Sequence, residues 1–198
     1  NHEDLFKLQI YWPGGSGERI PAYARRVVQD PETYIFSAQV WEPLSSYEWK
    51  ANKKEICNNK PLIYEAHIGI AQEEGKVGSY NEFEDKILPR IIKSGYNTIQ
   101  LMGIMEHPYY GSFGYHVSNF FSPSSRFGTP DDLKKLIDTC HKNKIRVIID
   151  LIHSHSVKNE VEGLARFDGS TYQYFHSGAR GYHDAWDSKC FDYGKPEV

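Results

Sequence analysis

The apolar positions between residues 129 and 142 repeat with the period of a helix. Four of them occupy the i, i+3, i+4 and i+7 places of a core-facing stripe, namely Leu133, Leu136, Ile137 and Cys140. Thr129 predicts the N-cap, and Pro130 suits the first helical position. The polar positions predict a solvent-facing side, formed by Lys134, Lys135, Asp138 and Lys142. We therefore predict a surface helix that packs on a sheet.

The run 146–152 that follows is β-branched and almost entirely apolar, which predicts a parallel strand covered on both faces. A similar unit precedes it. Residues 62–70 and 97–104 predict strands, and 79–82 has the sequence of a capping box at the start of the helix between them. Pro89 inside that helix predicts a kink or short break just before it. The pattern thus predicts three parallel barrel-type strands with two crossover helices.

The first 60 residues have a different pattern. Short apolar stretches such as residues 8–12 alternate with Gly and Pro, which is typical of strands joined by turns. Residues 42–60 are polar and lack periodicity, as expected of a connector. We predict that 1–41 is the C-terminal part of an all-β module, that 42–60 is a linker, and that 61–198 is the N-terminal part of a barrel.

Composition narrows the function classes. An α/β barrel usually needs about 250 residues, so we expect a chain of 198 residues to be a fragment. A net charge of −3 with mixed signs provides no basic stripe for nucleic acid, and no apolar run approaches the length of a membrane span. Three scattered cysteines, Cys57, Cys140 and Cys190, predict reduced thiols in a cytosolic compartment rather than a disulfide framework. No zinc-ligand spacing is present.

Polar side chains gather where the third predicted strand ends, at Asp150, His153 and His155. Enzymes with parallel strands place their sites at this end of the sheet. A carboxylate in an apolar run is costly unless it is paired or hydrogen-bonded, so Asp150 predicts a donor or cationic partner. A satisfied structural ion pair is the alternative to a functional role. We assign His153 a packing role, on the assumption that the strand continues to His155.

Long segments of the chain resemble the 1,4-α-glucan (glycogen or starch) branching enzymes of the α-amylase family. They are YEAHIGIAQEEGKVGSY, YNTIQLMGIMEHPYYGSFGYHVSNFF, SRFGTPDDLKKLID, DLIHSHSVKN and FHSGARGYHDAWDSKCFDY. The resemblance implies an α/β fold: the first three strands of a TIM-type (β/α)8 barrel, preceded by the end of an all-β carbohydrate-binding sandwich. It also implies a glycosyltransferase that cleaves α-1,4-glucan chains and re-attaches them as α-1,6 branches, by a mechanism that retains the anomeric configuration.

The same resemblance assigns roles to single residues. The family motif D-x-x-x-x-H corresponds to Asp150, which braces the catalytic groups, and to His155, which holds the hydroxymethyl oxygen of the glucose at the cleavage point. Tyr115 corresponds to a tyrosine whose ring stacks on that sugar. The nucleophile and the general acid are expected beyond Val198, so we expect residues 1–198 alone to be inactive. Ser154 stands where many α-amylases have a calcium-binding asparagine, so neither a metal nor a cofactor is implied.

Other residues carry weaker expectations. Glu197 is a glucan-binding candidate, because the family binds outer glucan chains near the helix expected there. Trp186 and Phe175 either line an acceptor groove or pack beneath the barrel rim. His107 lies either at the rim of the site or in the core as a hydrogen-bonded histidine.

The resemblance also implies partners and leaves two alternatives. The expected partner is an α-1,4-glucan polysaccharide, glycogen or amylose, and not nucleic acid or a membrane. The expected location is the cytoplasm, or the plastid in a plant. A hydrolase or debranching enzyme on the same barrel would differ in its nucleophile loop and in whether water or a sugar hydroxyl resolves the intermediate. A glucan-binding fragment without catalysis is the second alternative.

Overall fold

The computed structural model describes residues 1–51 and 60–198 of the chain. They form two compact units, the first containing residues 1–42, 105–122 and 151–198 and the second containing 43–104 and 123–150. The regular elements, in chain order, are β1 (Leu5–Phe6), β2 (Leu8–Trp12), β3 (Gly15–Arg19), β4 (Val27–Gln29), β5 (Phe36–Gln39), β6 (Ile63–Ala66), α1 (Tyr80–Glu82), a π-helical turn (Phe83–Ile87), α2 (Leu88–Lys93), β7 (Thr98–Leu101), β8 (Met105–Glu106), β9 (Asn119–Pro123), α3 (Pro130–Lys142), β10 (Arg146–Ile149), β11 (His155–Val157), β12 (Tyr182–His183) and β13 (Ser188–Cys190).

The first unit consists of small sheets. Its antiparallel sheets have the strand orders β1-β5-β4, β2-β3 and β11-β13-β12, and β8 pairs with β9. Ile20, Val27 and Phe36 form part of a core cluster in the N-terminal segment. The β-strand texture predicted for the first 41 residues is confirmed. Residues 42–51 contain no helix or strand, and the rest of the predicted linker up to residue 59 lies outside the described residues.

The second unit contains the predicted parallel sheet, with the strand order β10-β7-β6. Ile99 in the central strand lies opposite Val147 on one side and Tyr64 on the other, and it is fully buried. Strand β10 ends at Ile149, short of the predicted residue 152, and Ile148 is 41% exposed. Ile149, which points to the other face, is 39% exposed, so the prediction that this strand is covered on both faces is wrong for the described residues.

Helix α3 forms as its sequence predicts. The Thr129 hydroxyl accepts the backbone N–H of Asp132 at 3.1 Å, and the Asp132 carboxylate accepts the backbone N–H of Thr129 at 2.8 Å. This reciprocal pair satisfies two donors that the first helical turn would leave unpaired. Leu133 and Leu136 from the predicted stripe are buried. Local sequence thus accounts for the start of this helix and for the face that packs.

Pro89 changes the hydrogen bonding of its helix without ending it. The capping box at Ser79 and Glu82 is present, and the chain then passes through the π-helical turn Phe83–Ile87 into α2. The backbone N–H of Leu88 donates to the carbonyl of Phe83, five residues earlier. Because proline has no N–H and its ring crowds the carbonyl four residues before it, a wider turn accommodates it. The break predicted just before Pro89 is therefore a π-helical turn instead.

Asp138 departs most from its predicted place. The sequence assigns it to the solvent-facing side of α3, but the residue is completely buried. Its carboxylate accepts the backbone N–H groups of Lys50 at 3.1 Å and Ala51 at 2.8 Å, and it forms an ion pair with Lys142 at 3.2 Å. The prediction is wrong because a segment far away in sequence covers this position. Asp138 fastens the connector to α3 at residues 50 and 51.

The hydrogen bonds of Asp138 outweigh its burial. Burial by itself raises the pKa of this carboxyl group, but the N–H of Ala51, the ammonium of Lys142 and the N–H of Lys50 all favour the charged form. The pKa of Asp138 therefore lies below its ordinary value, and the group is ionised at neutral pH. A buried carboxylate with this many donors holds its partners tightly.

The two cysteines in the described part of the chain are free thiols. Burial raises the pKa of Cys140 to about 12, so this side chain stays protonated and behaves as a small apolar core residue. Cys190 is half-buried. Cys57 lies outside the described residues, so the prediction of reduced thiols is met for the two cysteines that the structure describes.

Candidate functional site

His155 is held by two hydrogen bonds from its ring. The residue begins β11 and is 6% exposed. Its Nε2 lies 2.9 Å from the carbonyl oxygen of Tyr115, and its Nδ1 lies 2.9 Å from the hydroxyl of Ser154. Since a carbonyl oxygen only accepts, Nε2 carries the proton and Nδ1 accepts from the serine hydroxyl. The two bonds fix both the orientation and the tautomer of the imidazole.

The surroundings of His155 favour its neutral form. Burial lowers the pKa of the imidazole, and although the bond to the Tyr115 carbonyl opposes this effect, the nearby rings of His116 and His183 lower the pKa further. The ring of His116 lies edge-on to that of His155, with centroids 6.3 Å apart. A neutral imidazole at physiological pH can bind a hydroxyl group without placing a charge next to it.

Tyr115 owes its position to a tight turn. Its backbone N–H donates to the carbonyl of Ser112 at 3.0 Å, and the two residues before it, Phe113 and Gly114, have φ values of 55° and 86°. The side chain of Tyr115 is half-buried against a small cluster that includes Val117. The turn therefore presents the carbonyl to His155 while the ring remains partly open to solvent. These two predicted site residues lie together in the first unit.

Asp150 belongs to the second unit. It directly follows β10 and is half-buried, and its backbone N–H donates to the carbonyl of Leu101 at 3.0 Å. This bond extends the pairing between β10 and β7 by one residue and fixes the backbone at the carboxyl end of the third parallel strand. Asp150 thus occupies the predicted strand end. Its role as a brace for catalytic groups stays a prediction.

The two aromatic residues that sequence reasoning treated as a pair differ in the structure. Phe175 is buried and stacks on Phe191, with centroids 5.0 Å apart, so it is a core residue. Trp186 is 49% exposed. Its indole stacks parallel to the ring of His183 at 4.2 Å, and the ring of His155 lies 4.9 Å away at an angle of 43°. Trp186 therefore belongs to the surroundings of His155.

The remaining histidines also have distinct places. His107 is fully buried, and its Nδ1 lies 2.8 Å from the carbonyl of Met105, which favours the structural interpretation of this residue. His153 is exposed, contrary to its predicted packing role. The prediction assumed a continuous strand, but β10 ends at Ile149, and residues two apart in a strand would in any case share a face.

Glu197 and His153 line one cavity, of about 240 Å³. Most of the other side chains around this cavity are aromatic, namely Tyr23, Phe120, Phe121, Tyr174, Phe191 and Tyr193. A largely apolar cavity with a few polar groups is the usual form of a small-molecule site. The structure thus gives Glu197 surroundings that suit the glucan-binding role predicted for it, and that role stays a prediction.

Two features of the site were not found by sequence reasoning. The first is the use of Ser154, which was considered only as a departure from a calcium-binding position and which donates its hydroxyl to His155. The second is the placement of His116 and His183 beside the same ring. No local sequence pattern announces these neighbours, because 28 residues separate His155 from His183 and a loop of irregular backbone brings them together.

Two further kinds of feature are absent from the described residues. Within 1–51 and 60–198, no group of three or more His, Cys, Asp or Glu side chains is arranged to hold a metal ion. In the same residues, no helix has both the length and the apolar character needed to cross a membrane.

Comparison with known families decides the classification. The sequence model of the α-amylase catalytic domain matches residues 75–185, more than half of the chain. The chain belongs to the α-amylase family. The match contains Tyr115, Asp150 and His155, and it ends one residue before Trp186. The predicted fold class, the start of a TIM-type barrel after an all-β segment, agrees with this classification.

Relatives within the α-amylase family resemble the chain over almost its whole length. A 1,4-alpha-glucan-branching enzyme from Yarrowia lipolytica is 52% identical over 100% of this chain and 29% of the relative. The enzyme of that name from Dictyostelium discoideum is 46% identical, over 97% of this chain and 29% of the relative. A chloroplastic/amyloplastic form from Arabidopsis thaliana is 46% identical, over 100% of this chain and 25% of the relative. The chain thus spans between a quarter and a third of the length of these relatives.

Solved structures support the fold. The pullulanase SAP of Group B Streptococcus superposes with a TM-score of 0.75 at 18% identity, over 94% of this chain and 29% of that chain. The catalytic module of the pneumococcal glycogen-degrading protein SpuA has a TM-score of 0.73 at 19% identity, over 96% of this chain and 32% of that chain. At such identities the likeness concerns the fold alone.

Proposed function

We propose that the chain is part of a 1,4-α-glucan branching enzyme, which cleaves α-1,4-glucan chains and re-attaches them through α-1,6 branches. The observation that carries the proposal is the 52% identity, over the whole chain, to a protein of that name. The geometry around His155 supports it, because a neutral imidazole and a partly open tyrosine ring suit the hydroxyls and the apolar face of a glucose residue.

His155 binds the hydroxymethyl group of the glucose at the cleavage point in this proposal. Both ring nitrogens already have partners, so the sugar must replace one of them. The carbonyl of Tyr115 is part of a backbone turn, whereas the hydroxyl of Ser154 rotates freely and the residue is exposed. The sugar therefore replaces the serine hydroxyl at Nδ1 and donates its own O–H there. Nε2 stays bonded to the backbone and keeps the ring in place.

The other predicted residues have separate roles in this proposal. Tyr115 offers its ring to the apolar face of the pyranose, and Asp150 braces the neighbouring catalytic groups. Glu197 binds a more distant part of the glucan in the cavity that aromatic side chains line. The expected partners are therefore glycogen and amylose. The expected location is the cytoplasm, or the plastid for a plant enzyme like the chloroplastic/amyloplastic relative.

The reaction is a retaining transglycosylation. A carboxylate attacks the anomeric carbon while a carboxylic acid protonates the leaving oxygen, and a 6-hydroxyl of another glucan then resolves the glycosyl-enzyme. Both carboxyl groups come from the part of the enzyme outside these 198 residues. Asp150 is a supporting residue in this scheme and not the nucleophile. The contribution of this chain is to hold the glucose on which the displacement takes place.

The test compares products. The enzyme that extends this chain through a complete barrel is incubated with amylose, and new α-1,6 linkages are measured by proton NMR. A branch signal without a matching rise in reducing ends is expected. Reducing ends without branches would indicate a hydrolase, and loss of branches from glycogen would indicate a debranching enzyme. Residues 1–198 made alone should form no branches. A dose-dependent branch signal from that fragment would contradict the assignment of both reacting carboxyl groups to the rest of the enzyme.

A further inference from the structure

Trp186 presents one face of its indole to solvent. The ring of His183 covers one face, since the two rings are parallel within 6° and lie 4.2 Å apart. The residue is nevertheless 49% exposed, too much for an indole covered on both faces. An aromatic face that is backed by another ring and open to solvent can pack against the apolar face of a ligand.

The backbone around Trp186 keeps this surface in place. The residue ends a short 3₁₀ turn, Asp184–Trp186, at the tip of the hairpin formed by β12 and β13. Asp187 follows in the left-handed conformation, with φ 47°, and its carboxylate forms an ion pair with Lys158 at 2.5 Å and a hydrogen bond with the hydroxyl of Tyr182. These contacts, one within the hairpin and one to Lys158 just after β11, hold the tip in place. The indole therefore loses little conformational entropy when a ligand binds.

The position of the hairpin relates Trp186 to the predicted glucose site. Strand β13 pairs with both β12 and β11, and His155 in β11 lies opposite Cys190. The ring of His155 is 4.9 Å from the indole. A group that contacts the imidazole of His155 therefore lies near the indole of Trp186.

We propose that Trp186 is a sugar-binding residue that stacks on the glucose unit adjacent to the one held by His155, within the same α-1,4-glucan chain. The inference rests on the proposed function, because it takes the occupant of the His155 site to be glucose. A pyranose has an apolar face of C–H groups that packs on an indole, and its hydroxyls at the rim find polar groups in Asp187 and Lys158. His183 acts through Trp186 as a positioning residue.

The experiment measures binding of maltoheptaose to the full-length enzyme by titration calorimetry. Trp186→Ala should weaken binding about 2- to 10-fold, because it removes the stacking surface, while Trp186→Phe should stay within about 2-fold of the native enzyme. The matched control is Trp49→Ala, since Trp49 is exposed to a similar degree, 46%, and lies in the connector of the second unit. This control should bind as the native enzyme does. Melting temperatures report whether each variant folds.

The outcomes separate this inference from the proposed function. Unchanged binding in a folded Trp186→Ala variant, or equal losses in the Ala and Phe variants, would overturn the stacking role. A fall in kcat with unchanged affinity would also overturn it, because Trp186 would then act only on His155. An enzyme that binds maltoheptaose through Trp186 and forms no branches would support the inference and contradict the proposed function. Failure of the native enzyme to bind maltoheptaose would contradict both.

Discussion

Two regions of the chain differ in what determines their structure. One is helix α3 with strand β10, and the other is the set of loops around His155. In the first region the cap, the buried stripe and the strand follow from residues within about 25 positions of one another. In the second region the ring of His155 depends on Tyr115, 40 residues earlier, and on Trp186, 31 residues later. Periodic local sequence specifies the regular elements, whereas long-range contacts specify the site.

Asp138 lies in helix α3, but long-range contacts decide its surroundings, as they do for His155. Its place on the polar side of α3 predicts exposure, and its actual state depends on the N–H of Ala51, 87 residues earlier. This side chain therefore offers the sharpest test of the comparison. If long-range contacts define its role, a change at Asp138 will affect the connector more than the helix that carries it.

The largest effect is expected for Asp138→Ala. The change leaves the N–H groups of Lys50 and Ala51 without their acceptor, which costs about 2 kcal/mol or more in local stability. Hydrogen exchange at these two amides should become roughly 30-fold faster in the full-length enzyme, while the amides of α3 change little. The control is Asp131→Ala in the same helix, which removes an ion pair with Lys134 and a carboxylate in the first turn and should cost less than about 1 kcal/mol.

Asp138 also predicts a pH dependence. Its pKa is lowered in the folded protein, so the unfolded chain takes up the proton first as the pH falls. The stabilisation is therefore complete above the ordinary carboxyl pKa of 3.8 and is lost as the pH falls through the folded value. Asp138→Asn should lower stability at neutral pH and reduce this acid dependence. If the melting temperatures of the native and Asp138→Asn proteins fell in parallel as the pH is lowered, the pH dependence would not come from Asp138.

The second largest effect is expected for Tyr115→Ala. Removal of the ring should cost about 1–3 kcal/mol of transition-state binding, measured as kcat/KM for branching of amylose by the full-length enzyme. Tyr115→Phe should keep most of the activity, because stacking uses the ring and the bond to His155 uses the backbone carbonyl. Equal losses in the two variants would show that the hydroxyl, and not the ring, matters.

The fold was largely predictable because its elements have local causes. The capping box at Ser79 and the N-cap at Thr129 are readable as sequence, and both form. The length of β10 was not predictable in the same way, since an apolar run predicts a covered strand whatever the neighbouring strands provide. The response to Pro89 was also missed, because a π-helical turn satisfies the same steric requirement as a break.

The site was predictable only in part. The resemblance to a family selected Tyr115 and His155, and the structure brings these two together. It did not indicate that the contact is made by the tyrosine backbone, or that Trp186 stacks on His183. Such contacts depend on how loops cross, and loops lack the periodicity that makes helices and strands readable.

A smaller effect is expected for Ser154→Ala. In our proposal the serine hydroxyl binds Nδ1 of His155 only while no sugar is bound. Its loss therefore removes a competitor of the sugar and leaves the ring held at Nε2. The kcat for branching should change by less than about 3-fold, under 1 kcal/mol. A loss of kcat as large as that of Tyr115→Ala would mean that Ser154 by itself fixes the orientation of the His155 imidazole. The long-range bond to Tyr115 would then be secondary.

The smallest effect, none at all, is expected for chelation of divalent cations. Calcium prefers six to eight oxygen ligands, and an asparagine before the motif histidine would supply one of them. Ser154 stands there instead, and its hydroxyl is directed to the ring of His155. The full-length enzyme should therefore keep its branching rate and melting temperature in EDTA. A large loss that calcium restores would show that a cation, and not the contacts between Tyr115, Ser154 and His155, organises these loops.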